Sequence, residues 1–210
     1  MDDFYFNTAG ELLERNRNDN PDLFYYRQTT EKPVYSLQVA PDGYSLYLDK
    51  TFETVTTNTL IDMNGDLGSM IRTVYAEANG ENADAKLAVA EVIRNRANDN
   101  TKNSVFSNVN TYTEVVTQRG QFESVGKSSP RYIDPASVIM KNGVRNELET
   151  TAFVQSIGAS IKATIQNTNT AQGAMYFYSP YIKAPSWTNN LQQVKVPNIG
   201  DAFLFYKKMT

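Results

Sequence analysis

The hydrophobic period changes near residue 60 of this 210-residue chain, and that change limits the fold more than any other feature. Up to about residue 60 apolar residues tend to alternate, the mark of strands with one buried face. From Leu67 to about residue 166 they recur at spacings of three and four, the mark of helices with an apolar stripe. Phe4-Tyr5-Phe6, Leu23-Phe24-Tyr25-Tyr26, Val34–Val39 and Tyr44–Leu48 read as four strands of a small antiparallel sheet. Between the last two, Ala40-Pro41-Asp42-Gly43 is turn chemistry, with Pro fixing φ and Gly tolerating a positive one. Thr51–Asn64, rich in Thr and Asn and weakly periodic, is placed as the boundary. Beyond it, Leu67, Ile71, Val74, Tyr75 and Ala78 form the stripe of a first helix that Gly80 stops. A second helix over about 84–98 has Asn82 as N-cap, Leu87, Ala88, Val92 and Ala97 as inward residues, and Lys86, Glu91, Arg94 and Arg96 as charges. Tyr112–Gln118 and about 149–166 are two more helices. Gly173–Tyr178, Gln193–Val196 and Ala202–Tyr206 close the chain as strands. The fold class is therefore α+β: a small β-rich segment over 1–60, then a unit over 65–210 built of helices followed by a small antiparallel sheet. No internal repeat interrupts that order.

Composition matters most through what is missing. The chain has no histidine and no cysteine, which excludes Cys/His zinc sites, Ser-His-Asp triads and Cys-His dyads. Twenty Lys and Arg against 23 Asp and Glu, with no basic block, disfavour a nucleic-acid partner. No apolar run approaches the ~20 residues that a membrane span needs. The start, Met1-Asp2-Asp3-Phe4-Tyr5-Phe6, lacks the basic and apolar regions of a signal peptide. No cofactor or metal is expected. Asp62, Asn64 and Asp66 resemble a calcium loop only faintly, because Leu67 stands where such a loop requires Gly.

The remaining catalytic chemistry belongs to carboxylates, Lys, Tyr, Ser and backbone groups. Glu77 is an acid in an otherwise apolar segment, following Val74-Tyr75-Ala76 at the C-terminal end of the first helix. Apolar surroundings and the negative end of a helix dipole both favour a protonated carboxyl, as general acid catalysis of glycoside cleavage requires. The competing reading is a solvated Glu on an amphipathic helix, with Glu81 paired to Arg94 or Arg96. Glu77 and Glu81 are one helical turn apart, on one face and about 5–6 Å apart at Cβ, so they cannot flank a scissile bond. That leaves Glu77 as a single catalytic acid and Glu81 as a support that orients the turn.

These residues carry a family resemblance. Val74-Tyr75-Ala76-Glu77-Ala78-Asn79-Gly80-Glu81, followed by Lys86-Leu87-Ala88-Val89-Ala90-Glu91-Val92-Ile93-Arg94-Asn95-Arg96, resembles the opening of the SleB/CwlJ-type cell wall hydrolases. Tyr112–Val116, the Gln-Phe segment Gly120–Val125, Gly173–Tyr178, Pro185-Ser186-Trp187 and Ile199–Tyr206 follow in the family's order, so the resemblance spans about 67–207. The family's closing segment usually has a His where Ala202 or Phe203 stands here. The resemblance implies a lysozyme-like α+β domain that cuts the β-1,4 bond between N-acetylmuramic acid and N-acetylglucosamine in peptidoglycan. Glu77 falls on the family's catalytic acid. It further implies a lytic transglycosylase, in which one carboxyl suffices because the substrate's N-acetyl group or C6 hydroxyl attacks the anomeric carbon. Alternatives are a hydrolytic muramidase that yields reducing ends, and a wall-binding or structural module whose catalysis has lapsed.

A glycan cleft needs aromatic faces and a few amides and hydroxyls. Tyr176, Tyr178 and Trp187 are the candidate stacking residues and Gln121 the candidate hydrogen-bonding one. Phe122 and Phe177 read as core, and Asn95 as a supporting amide that ties the second helix to a neighbouring segment. The expected partner is the peptidoglycan glycan strand, in the wall or periplasm. Delivery would take a non-Sec route such as phage lysis, contractile injection or spore assembly. Residues 1–60 are either a docking surface for a secretion apparatus or immunity protein, or a packing extension of the larger unit.

Overall fold

The computed structural model describes residues 2–18, 21–39, 46–102 and 104–209, with the side chains of 35–39 and 46–49 excepted. The expected turn Ala40–Gly43 lies outside the described residues.

The N-terminal part is a four-stranded sheet in the order β2-β1-β3-β4, built from β1 (Asp2–Asn7), β2 (Leu12–Arg17), β3 (Leu23–Val39) and β4 (Leu46–Leu60). β1 runs antiparallel to β2 but parallel to β3, with Phe4 opposite Phe24. Alternation along β1 buries Phe4 and Phe6 and leaves Asp3, Tyr5 and Asn7 half-exposed. Three corrections follow. The sheet is mixed, not antiparallel as expected, because β1 and β3 run parallel. Leu23–Tyr26 and Val34–Val39 belong to one strand, and Thr51–Leu60, expected as a boundary loop, completes β4. Its Thr and Val residues are β-branched and suit a ladder even without apolar alternation. Beyond Arg27, β3 pairs only with β4, as a two-stranded ribbon reaching Val39 opposite Leu46. Phe52 on this ribbon is 61% exposed.

The larger part runs through α1 (Asp66–Glu77), α2 (Ala83–Ala97), α3 (Tyr112–Thr117), α4 (Glu123–Gly126), α5 (Pro130–Ile133) and α6 (Pro135–Ile139). A small hairpin of β5 (Met140–Lys141) and β6 (Val144–Arg145) leads into α7 (Glu147–Ile165). An antiparallel sheet ordered β7-β9-β8 ends the chain, from β7 (Tyr176–Tyr178), β8 (Leu191–Val194) and β9 (Leu204–Lys208). Each of the four expected helices forms, and Asn82 caps α2 by accepting the Ala85 N–H at 2.9 Å. Among the described residues no helix is long and apolar enough to cross a membrane.

Two apolar clusters share the interior. One surrounds α2 and takes in Val74, Val115, Phe122 and Phe205. The other joins Phe4, Phe6 and Phe24 of the N-terminal sheet to Ile71 and Tyr75 of α1 and Phe153, Ile157 and Ile161 of α7. In it Phe4 stacks on Phe24 at 5.1 Å, and Phe24 meets Phe153 edge-on at 5.4 Å. Burying three Phe side chains is worth on the order of 1.5–3 kcal/mol each. Ion pairs rim the same junction: Arg15 holds Asp2 at 2.6 Å and Arg145 holds Asp22 at 2.8 Å. Closest of all are Gly10, at φ +75°, and Gly158 of α7, where a Cβ would stand 2.2 Å from the Gly10 carbonyl oxygen.

Candidate active site

α2 is an interior helix despite its charges: Lys86, Glu91, Arg94 and Arg96 are all buried. Each bonds to backbone groups through its side chain. The Lys86 ammonium donates to the carbonyls of Asn79, at 3.2 Å, and Glu81. The Glu91 carboxylate accepts the N–H groups of Thr170 (3.0 Å) and Ala171 (2.5 Å). Arg94 donates to the Ala163 carbonyl at 2.7 Å, Asn95 to Ala174 at 2.9 Å and Arg96 to Met175 at 2.6 Å. One flank of α2 thus grips residues 170–175, the segment that delivers β7.

That grip sets one wall of a groove of about 650 Å³, a size suited to a small-molecule or oligosaccharide site. Glu77, Gln121, Tyr176, Tyr178 and Trp187 all line it. Glu77 is the last residue of α1, half-buried, and its Oε1 accepts two bonds from Ser124, the N–H at 2.8 Å and the hydroxyl at 2.6 Å. Oε2 accepts no hydrogen bond among the described residues, so one carboxyl oxygen is anchored and the other is free. Trp187, in a 3-10 turn over Ser186–Asn190, packs on Tyr176 at 5.4 Å and edge-on to Tyr178 at 5.7 Å. Gln121 sits in the loop between α3 and α4, just after Gly120, whose φ of +77° makes the bend.

Phe177 packs on the opposite side of β7 from that aromatic pair, against Phe203 and Phe205, as strand alternation requires. Phe122 is buried, yet it and Phe177 also reach the groove floor, so both serve core and cleft. Two supporting residues lie outside the groove lining. Asn95 ties α2 to the Ala174 carbonyl. Glu81 acts through its main chain, whose carbonyl takes the Lys86 ammonium. The alternative pairing of Glu81 with Arg94 or Arg96 does not form, because both guanidiniums are turned to backbone carbonyls. Asp62 accepts the N–H of nearby Asn64 at 2.9 Å, and Asp66 accepts that of Thr113 in α3 at 2.7 Å.

Two residues that act on the site, Ser124 behind Glu77 and Arg96 in the groove lining, escape a sequence reading as site residues. Ser124 lies 47 positions from Glu77, and only tertiary packing brings them together. Arg96 is 3% exposed and lies against the rings of Phe106 at 4.8 Å and Phe122 at 4.9 Å, with Tyr176 at 5.8 Å. Burial pulls its basicity down to about 10, while Tyr176 and Glu77 pull the other way, so it remains charged at neutral pH. A sequence signal for Arg96 existed, a charge set among Ala, Val and Ile at helical spacing.

No curated protein matches the chain. The catalytic domain of the Bacillus cereus SleB protein is similar to it at 23% identity over 68% of this chain and 89% of that one, with a TM-score of 0.44. The catalytic domain of the germination-specific lytic transglycosylase SleB from Bacillus anthracis is similar at 24% identity over 68% and 93%, with a TM-score of 0.45. A family model described as Cell Wall Hydrolase matches residues 80–206, which include Gln121, Ser124, Tyr176, Tyr178 and Trp187 and begin three positions after Glu77. On that match the chain belongs to the cell wall hydrolase family.

Proposed function

We propose that the protein is a peptidoglycan lytic transglycosylase that cleaves the β-1,4 bond between N-acetylmuramic acid and N-acetylglucosamine, with Glu77 as its single catalytic acid. The observation that carries this reading is the half-anchored carboxyl in a groove that Tyr176, Tyr178 and Trp187 also line. Ser124 fixes Oε1, leaving Oε2 to hold the proton. That proton passes to the glycosidic oxygen as the C1–O bond breaks, and the leaving sugar departs as an alcohol. The C6 hydroxyl of the remaining sugar bonds to C1, directly or after its N-acetyl oxygen, and the Glu77 carboxylate takes up the hydroxyl proton. The product is a 1,6-anhydro sugar and the acid is restored. Tyr176, Tyr178 and Trp187 would offer ring faces to the sugars, and Gln121 an amide.

A second reading rests on Glu123, the other carboxylate in the groove. As a base activating water it would make the enzyme a hydrolytic muramidase. Glu123 is 71% exposed at its side chain and forms an ion pair with Lys127 one turn away, a poor setting for a base, which favours the first reading. Mass spectrometry of digested peptidoglycan decides between them: anhydro-muropeptides are expected, and plain reducing ends would overturn the transglycosylase assignment. Glu77→Gln should lower the rate roughly 10²- to 10⁴-fold with little change in thermal midpoint. A variant that keeps wild-type activity would remove Glu77 from the chemistry.

A further inference from the structure

Beneath the groove, Arg96 is a buried cation with an unusual set of neighbours. Its Nε is used on the Met175 carbonyl, one terminal nitrogen, Nη1, is buried without a hydrogen-bond partner, and no carboxylate among the described residues forms an ion pair with it. Burying a guanidinium with no counter-ion is costly, and a structural role alone would be served by the single bond to Met175. Arg96 lines the same groove as Glu77. Charge on the other walls of the groove largely cancels or is absent: Glu123 of α4 and Lys127, just after that helix, pair with each other at the exposed rim, and β7 contributes only the phenols of Tyr176 and Tyr178. Arg96 is therefore the uncompensated charge at this end of the groove.

We infer that Arg96 is a positioning residue for the acid step: its fixed positive charge stabilises the carboxylate that Glu77 becomes when its proton moves to the glycosidic oxygen. This rests on Glu77 being the acid proposed above. The low-dielectric cage of Phe106, Phe122 and Tyr176 keeps that charge from being screened, and because the guanidinium is already immobilised it needs no reorganisation during the reaction.

The test compares Arg96→Gln and Arg96→Lys on soluble glycan strands, with Glu77→Gln alongside and folding checked by thermal midpoint. Arg96→Gln should lower kcat roughly 10- to 100-fold while KM stays within about twofold, because only the charged state of the acid loses support. Arg96→Lys, which keeps the charge but not the planar fork, should recover kcat to within about fivefold of wild type. A folded Arg96→Gln with wild-type kcat overturns the inference, as does a folded Arg96→Lys that is as slow as Arg96→Gln. Should Arg96→Gln fail to fold, Arg96→Lys decides alone: near wild-type kcat supports the inference, and a rate near that of Glu77→Gln overturns it. If instead Glu77→Gln keeps activity, the acid assignment itself has failed, which an inactive Glu77→Gln beside an unchanged Arg96→Gln distinguishes.

Discussion

Ser124→Ala tests the anchored carboxyl most directly. The substitution deletes the hydroxyl that reaches Oε1 at 2.6 Å and leaves the backbone N–H at 2.8 Å. A hydrogen bond to a neutral acid contributes about 0.5–1.5 kcal/mol and one to a carboxylate about 1.5–3 kcal/mol. The hydroxyl therefore favours the ionised product of proton transfer over the acid by about 1–1.5 kcal/mol. That difference is realised only as the proton leaves, so it should appear in kcat as a loss of roughly 5- to 10-fold, with KM nearly constant. Steady-state rates on soluble glycan strands read both parameters. Ser124→Thr keeps a hydroxyl and should restore most of the loss. In a Glu77→Gln background Ser124→Ala should cost almost nothing more, since the group it serves is gone. An unchanged kcat in Ser124→Ala, or a loss confined to KM, would refute the reasoning.

Two predictions concern stability. Asp99 accepts from the Lys208 ammonium at 2.7 Å, the Ser104 hydroxyl and the Thr101 N–H at 3.1 Å; burial works to raise its pKa, but these donors prevail and hold it at about 2. With an unfolded value near 3.8 the carboxylate contributes about 2 kcal/mol, fully present above pH ~4 and lost as pH falls towards 2; urea unfolding of Lys208→Met should show a shallower decline than wild type across that window, and parallel curves would contradict this. Gly158→Ala gains helix propensity of about 1 kcal/mol, but its Cβ would lie 2.2 Å from the Gly10 carbonyl oxygen, so a net loss of at least about 2 kcal/mol is expected. A raised unfolding midpoint would show that the N-terminal turn does not press on α7.

The helices were legible because a period of 3.6 survives in a single sequence: the stripe Leu67, Ile71, Val74, Tyr75 and Ala78 tracks α1, and Asn82 marks the start of α2. β2 was not legible, since Leu-Leu-Glu-Arg-Asn-Arg is exposed on every residue and carries no alternation. α4, α5 and α6 span only four or five residues each, too short for any period to show. At the site, removing His and Cys from consideration left few acids in apolar settings, which made Glu77 conspicuous. Gln121, Tyr176, Tyr178 and Trp187 came from motif order, and the groove gathers them from a loop, a strand and a 3-10 turn. Ser124 could not be found this way, because a serine carries no periodic signal and its bond to Glu77 is a purely tertiary event. Arg96 was hidden by the expectation that helix charges face solvent.

That expectation fails on α2 for a reason that links the fold to the groove. β7 is three residues long and is led in by residues 170–175, which have backbone groups to satisfy in the interior. Strand pairing meets few of these needs. Met175 donates its N–H to the Tyr206 carbonyl, but the N–H groups of Thr170 and Ala171 and the carbonyls of Ala174 and Met175 turn towards α2. An apolar helix face would leave those four unsatisfied, at about 1–3 kcal/mol apiece. Glu91, Asn95 and Arg96 answer them in order, a carboxylate for the two donors and then an amide and a guanidinium for the two acceptors. The spacing follows from helix geometry: Glu91 and Asn95 are one turn apart on the same flank, and Arg96 is next to Asn95 where the gripped strand turns out towards the groove. Tyr176 and Tyr178 thus take their positions from polar atoms buried on a helix that, by amphipathic logic, should have none there. Loosening Glu91 or Asn95, which hold three of the four groups, should displace the aromatic wall before it unfolds the domain.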